Sequence, residues 1–295
     1  MQVYVNGQFV SAANASVSVF DHGFLYGDGV FEGIRVYDGT IFRLRQHIER
    51  LYQSAQCLML TIPMTPEAMG DAIVETVRRR ALPSQYVRVV VSRGAGDLGL
   101  DPRLCPTPSV IIIADTIALY PEPFYTDGLE LVTVATRRSP SWALDPRIKS
   151  LNYLNNIMAK IEAQQAGAVE AVMLNAEGYV AECTADNLFV LRQGRLATPC
   201  VAAGALQGVT RDSVLEIAAQ VGLETDEAFL TRYDLYTAEE CFMTGTGAEI
   251  VPVVRIDGRQ IGTGVPGPVT AQLRAAFVDL CRVDGVQVAL QPVGT

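Results

Sequence analysis

The pair Asp38-Gly39 constrains this chain more than any other two residues, because it joins two β-branched and aromatic runs, Ile34-Arg35-Val36-Tyr37 and Ile41-Phe42. An Asp-Gly link of two residues between such runs closes as a tight antiparallel hairpin. The period then changes. Ile48, Leu51, Ala55 and Leu58 fall at helical spacing, and Thr65-Pro66 supplies an N-cap and a first-turn proline for a second helix through Met69, Ile73 and Val77. The β-rich runs Val87 to Val91 and Val110 to Ala114 suit strands covered on both faces. Strand and helix signals keep alternating. Leu129 to Ala135 predicts a strand; Leu151, Leu154, Met158 and Ile161 predict a helix ending at Gly167; and 171–174 with 179–182 predict a hairpin around Asn175-Ala176-Glu177-Gly178. A strand at Leu188 to Leu191 and a helix from near Thr210 to Gly222 follow. This is a mixed α/β (α+β) pattern.

With 295 residues, 49% of them apolar, the chain can bury two cores. Ala118-Leu119-Tyr120-Pro121-Glu122-Pro123 has linker chemistry, since each proline pushes its predecessor toward extended backbone. The expected division is an N-terminal domain over 1–120, a linker over 121–128 and a C-terminal domain over 129–295.

The net charge of −9, with no Lys/Arg-rich block, argues against nucleic acid or an anionic membrane as partner and favours small molecules. The six cysteines have no C-x-x-C spacing, and with only His22 and His47 beside them no metal site is expected. Neither histidine sits in a nucleophile context, which sets aside His-dependent hydrolase triads. The start lacks a basic and apolar leader and no run approaches a membrane span, so the expected location is the cytoplasm.

Several residues could carry chemistry, and each has a plainer reading. Lys149, in Arg147-Ile148-Lys149-Ser150-Leu151-Asn152-Tyr153-Leu154-Asn155-Asn156, is either a solvated lysine or a covalent nucleophile at a strand-to-helix junction. Glu182, before Cys183-Thr184-Ala185-Asp186-Asn187-Leu188-Phe189, is either a surface carboxylate or an acceptor for a protonated aromatic nitrogen. Leu206-Gln207-Gly208-Val209-Thr210-Arg211-Asp212 is a plain N-cap or a helix start suited to a phosphate. Thr244-Gly245-Thr246-Gly247 offers a second cradle of backbone donors. Arg50 is a solvated helix residue or a phosphate ligand. The glycine-rich stretch from Arg93 to Pro102 is longer than an idle loop.

Together, and in this order, the run Tyr26 to Arg35 with its Phe31-Glu32-Gly33-Ile34-Arg35, the Arg50 helix, Lys149 to Asn156, Glu182 to Phe189, Gly208 to Asp212 and Gly245 to Pro252 resemble the fold-type-IV aminotransferases. The likeness is nearest to the branched-chain amino acid aminotransferases. That resemblance implies a smaller N-terminal α/β domain and a larger C-terminal pseudo-barrel α/β domain that binds pyridoxal 5'-phosphate. It assigns to Lys149 the covalent imine with the cofactor and the shuttling of the substrate proton, and to Glu182 the pyridine nitrogen. Tyr153 takes the phenolic oxygen; Arg50, Val209, Thr210 and Thr246 take the phosphate; Leu206 packs under the ring.

For the substrate, the resemblance implies that the α-carboxylate meets the Thr246-Gly247 turn and Tyr86, and that the second carboxylate of glutamate meets Arg88 and Tyr26 of the partner subunit. Phe31 forms an apolar wall, and Arg35 has either a substrate or a structural role. The implied reaction moves the amino group of leucine, isoleucine or valine to 2-oxoglutarate, in a homodimer whose subunits share active sites through Tyr26 and the 93–105 loop. D-amino acid transaminases and aminodeoxychorismate lyase share the fold. The former trap the substrate carboxylate with an Arg-x-His pair, where this sequence has Arg103-Leu104-Cys105. A binding module that kept the fold without the chemistry predicts loss of Lys149 or Glu182, and both are present.

Overall fold

The computed structural model describes residues 1–117 and 120–290; Ala118 and Leu119, within the proline-rich linker segment, and residues 291–295 lie outside the described residues. In chain order the first part holds β1 (Gln2–Val5), β2 (Gln8–Ser11), α1 (His22–Tyr26), β3 (Gly29–Tyr37), β4 (Thr40–Phe42), α2 (Leu44–Cys57), α3 (Pro66–Arg80), β5 (Gln85–Ser92) and β6 (Ser109–Asp115). The second part holds α4 (Pro123–Thr126), β7 (Leu129–Thr133), α5 (Ser141–Leu144), α6 (Leu154–Gln165), β8 (Glu170–Leu174), β9 (Val180–Glu182), β10 (Asn187–Arg192) and β11 (Arg195–Pro199). It continues with α7 (Val209–Gln220), β12 (Glu224–Ala228), α8 (Arg232–Tyr236), β13 (Glu240–Gly245), β14 (Glu249–Ile256), β15 (Arg259–Gln260), α9 (Pro268–Val283) and β16 (Gly285–Gln287).

The chain forms two compact units. One contains Met1–Ile117, Ile148–Asn152 and the described residues from Cys281 on; the other contains the described part of Ala118–Arg147 together with Tyr153–Leu280. In the first, seven strands run in the order β16-β4-β3-β5-β6-β1-β2, and every neighbouring pair is antiparallel. The predicted hairpin is the β3–β4 turn, where Asp38 at φ 48° and Gly39 at φ 84° have the two positive angles that a tight primed turn needs. Thr65 caps α3 as expected, accepting the Ala68 N–H at 3.2 Å, with Pro66 in the first turn.

The expectation that β5 is covered on both faces does not hold. Val87, Val89 and Val91 are fully buried with Ile34, Leu51, Met69 and Ile73, but the alternate residues Tyr86, Arg88 and Val90 are only half-buried. An antiparallel sheet needs only one helix-covered face, and each residue sealed there contributes about 1.5–3 kcal/mol. The half-buried face carries Tyr86 and Arg88.

In the second unit nine strands form a mixed sheet, β12-β11-β10-β13-β14-β7-β8-β9 with β15 on β14. Its core includes Leu131, Val172, Leu188, Val190, Met243 and Val251. The predicted helix after Lys149 begins at Leu154 rather than Leu151, and its face is inverted: Asn156, Ala159 and Ala163 are buried while Leu154, Ile157, Met158 and Ile161 are exposed. Within the segment read as a linker, Glu122 before Pro123 is helical (φ −50°, ψ −37°), because it opens the short α4. Among the described residues no helix is long and apolar enough to cross a membrane.

Candidate active site

In the N-terminal unit the site residues come from one face of the β3–β5 pair. Their register sets Phe31 opposite Val90, Gly33 opposite Arg88 and Arg35 opposite Tyr86. A Cβ on Gly33 would stand 2.0 Å from the Tyr86 hydroxyl, so the missing side chain is where that hydroxyl sits. Arg88 Nη2 donates to Tyr86 Oη at 3.0 Å, and the Arg88 guanidinium lies 4.7 Å from the Phe31 ring centre.

Lys149 joins this group. The Phe31 N–H donates to the Lys149 carbonyl at 3.0 Å, the Leu151 N–H to Gly29 O at 2.9 Å, and Val30 and Ser150 form an antiparallel bridge. The Lys149 N–H donates to Ser54 Oγ on α2 at 3.1 Å, and Lys149 Nζ lies 4.5 Å from the Phe31 ring centre. Phe31, Tyr86, Arg88 and Lys149 thus lie together in this unit.

Arg50 has a partner that the sequence did not disclose. Its Nε donates to Glu32 Oε1 at 2.7 Å and its Nη2 to Glu32 Oε2 at 2.9 Å, while His47 Nδ1 lies 2.8 Å from the same Oε2. Burial alone would raise the Glu32 carboxyl, but the adjacent Arg50 charge and the hydrogen bonds from His47 and Arg50 hold it well below the usual carboxylate range. Burial pushes His47 down, so it serves as a neutral donor. Glu32 and His47 had only the i, i+3 spacing of His47 to Arg50 as a signal.

Two other expected residues make further contacts within the same unit. Tyr26 Oη donates to Leu98 O at 2.5 Å, which ties α1 to the 93–105 loop, and the Arg35 guanidinium stacks 5.1 Å from the Tyr37 ring centre. Arg103 is exposed and paired with its neighbour Asp101, while Cys105 is buried.

The C-terminal unit assembles a second set around Asp186-Asn187, at the start of β10. Glu182 is buried, with Oε2 accepting from Leu206 N–H at 2.9 Å and Asn187 Nδ2 at 3.2 Å, and with Arg138 Nη2 2.6 Å from Oε1. Asn187 Nδ2 also donates to Leu206 O at 2.8 Å. A Cβ on Gly208 would stand 2.1 Å from Asn187 Oδ1, and one on Gly245 would stand 1.9 Å from Asp186 Oδ1.

The α7 N-terminus and the 245–247 turn therefore both press against one dipeptide, which brings Val209, Thr210, Thr246 and Gly247 to one neighbourhood. Gly208 offers no side-chain cap to α7, and first-turn N–H groups have no partner within a helix, so the helix start suits an anion. Tyr153 is half-buried at the N-cap of α6. Chemically, this unit offers a buried carboxyl acceptor and an anion cradle, and the other offers an amine beside an aromatic wall.

The family model described as amino-transferase class IV matches residues 29–256. A Methanocaldococcus jannaschii protein, provisionally named a branched-chain-amino-acid aminotransferase, is 50% identical over 288 residues, which covers 98% of this chain and 99% of that one. The solved Escherichia coli branched-chain amino acid aminotransferase has a TM-score of 0.92 at 33% identity, covering 98% of this chain and 96% of that chain. The T.th. enzyme of the same name, complexed with N-(5'-phosphopyridoxyl)-L-glutamate, gives 0.89 at 41% identity, with 94% and 93% covered. Matched over most of its length in sequence and in fold, the chain belongs to the class IV aminotransferases.

Proposed function

We propose that this aminotransferase moves the amino group of branched-chain L-amino acids to 2-oxoglutarate, using pyridoxal 5'-phosphate carried on Lys149. One observation carries the reading: the buried Glu182 carboxylate grips the backbone at Leu206, three residues before the α7 N-terminus at Val209. Three residues span at most about 10 Å. That is the scale of one substituted pyridine ring with its phosphate arm, so the donor set fits the cofactor. Bound pyridoxal phosphate supplies an electron sink for the pair left when the substrate Cα–H bond breaks.

The chain's own residues do the rest. Glu182 accepts the proton-bearing ring nitrogen, Leu206 packs against the ring, Tyr153 meets the phenolic oxygen, and the Val209 and Thr210 N–H groups with Thr246 and Arg50 hold the phosphate. Lys149 Nζ takes the proton from substrate Cα and would pass it to the cofactor carbon that ends bearing the amino group. Tyr86 and the Thr246-Gly247 turn orient the α-carboxylate, Phe31 forms an apolar wall, and Arg88 with Tyr26 of the partner subunit receives the second carboxylate of glutamate. Arg35, stacked on Tyr37, fits a structural role better than a substrate role.

A homodimer is supported by the exposed apolar residues Phe20, Phe24, Leu98, Leu100 and Leu104 around Tyr26 and the 93–105 loop. The same reading keeps a cytoplasmic location and a division at 1–120, 121–128 and 129–295, save that 148–152 and the described residues from 281 on pack with the first unit. Arg103 bound to Asp101, with cysteine at 105, supports L- over D-amino acids.

The test compares initial rates with L-leucine and D-alanine as donors and 2-oxoglutarate as acceptor. L-leucine should be faster by about a hundredfold or more, and Lys149→Ala should be colourless and inactive. Equal or faster turnover of D-alanine sinks the substrate reading.

A further inference from the structure

Arg138 carries no signal in the sequence, yet its side chain is only 7% exposed and reaches three parts of the C-terminal unit. Nη2 meets Glu182 Oε1 at 2.6 Å on β9, Nη1 donates to Asn156 Oδ1 at 2.8 Å on α6, and Nε donates to the Gly204 carbonyl at 3.1 Å. The main-chain N–H donates to Leu174 O at 2.9 Å, which fixes the residue to the end of β8. Asn156 in turn donates to Thr184 O at 2.6 Å, two residues beyond Glu182. Gly204 leaves room for the guanidinium arm, since a Cβ there would stand 3.2 Å from Arg138 Cγ.

The partners of Glu182 are all donors: the Arg138 guanidinium, the Leu206 N–H and the Asn187 amide. None can accept a proton from a carboxylic acid, so this set selects the ionised, acceptor-only carboxylate. A buried carboxylate without a counter-charge is costly, and Arg138 is the cation placed against it.

We propose that Arg138 is the positioning residue for the ring-nitrogen end of the cofactor site: it fixes Glu182 as a charged acceptor, so that any further partner must donate a proton, and it ties that carboxylate to the 204–208 loop leading into α7. The proposal rests on the reading that Glu182 faces the ring nitrogen.

Holoenzyme carrying Arg138→Gln, Arg138→Lys or Glu182→Gln is compared with the unsubstituted enzyme. The readouts are visible absorption, the rate of cofactor loss after dilution, kcat and KM for L-leucine, and Tm. Arg138→Gln should shift the visible band, speed cofactor loss about tenfold or more and lower kcat about tenfold or more, with KM within about threefold. Arg138→Lys keeps the charge but not the three-way fork and should fall between.

If Arg138→Gln does not fold, Arg138→Lys decides: cofactor loss about threefold faster supports the proposal, and an unchanged rate overturns it. Lower Tm alone, with unchanged spectrum, cofactor loss and kcat, overturns it as well. Where Glu182→Gln changes the spectrum and the Arg138 variants do not, only this inference falls. Where Glu182→Gln also changes nothing, the reading of Glu182 falls with it.

Discussion

Helices α2 and α6 look alike as sequence, each with an apolar stripe at helical spacing, but they use that stripe in opposite ways. In α2, Leu51 is 1% exposed and packs under the antiparallel sheet with Ile34 and Val89, while in α6 Leu154 is 73% exposed. The difference lies in what each helix offers the sheet it covers. α6 approaches β8 through Ala159 and Ala163, and small residues allow an approach that leaves the larger ones outside. Periodicity shows that an apolar face exists. Side-chain size and the available partner decide which face the same chain covers.

The comparison can be broken at four points, taken from the largest effect down. Glu32→Gln removes the buried anion that holds Arg50 and His47 of α2, and should cost about 3–5 kcal/mol in urea unfolding. In the unsubstituted protein the same cluster predicts an acid-sensitive fold. His47 is depressed below its ordinary 6.5 and Glu32 below its ordinary 4.5, so in each case the unfolded chain binds the proton first. Stability should therefore be full above pH 6.5, fall as pH drops below it, and fall more steeply below 4.5. Glu32→Gln should make that limb shallower, since Asp101, Asp115, Asp145 and Glu162 are also held below their ordinary values, and an unchanged limb contradicts the cluster's role.

Leu51→Ala in α2 should cost about 2–5 kcal/mol, whereas Leu154→Ala in α6 should change the unfolding free energy of a dissociated chain by about 0.5 kcal/mol or less. A reversal of that order breaks the contrast. Replacing Leu154 and Met158 together by serine sharpens it: the unfolding free energy of the dissociated chain should change by about 1 kcal/mol or less, and a larger loss breaks the contrast. The smallest effect is Ser54→Ala. It deprives the Lys149 N–H of its acceptor and should cost about 1 kcal/mol.

Much of the fold is legible in the sequence because its signals are local. Asp38-Gly39 marks a hairpin and Thr65-Pro66 a helix start, and both depend on residues adjacent in the chain. The gathering of Phe31, Tyr86, Arg88 and Lys149 follows from the resemblance, not from any local pattern. What sequence reasoning misses is the set of charges that hold the site residues: Arg138 behind Glu182, and Glu32 with His47 behind Arg50. Arg137-Arg138-Ser139-Pro140 reads as an ordinary basic loop, and nothing local indicates that one of its two arginines is sealed against a carboxylate 44 residues on. The covered faces of β5 and α6 escape the sequence for a related reason, since composition does not say where a sheet ends or a helix stops packing.

The main chain at Lys149 is held on both sides, its N–H by Ser54 and its carbonyl by Phe31. Such a residue can swing its four-carbon arm without lifting the peptide plane that carries it. Its amide should therefore resist deuterium exchange as strongly as those of the neighbouring strand, with pyridoxal phosphate added or absent, which the proposed role of Lys149 requires of its backbone.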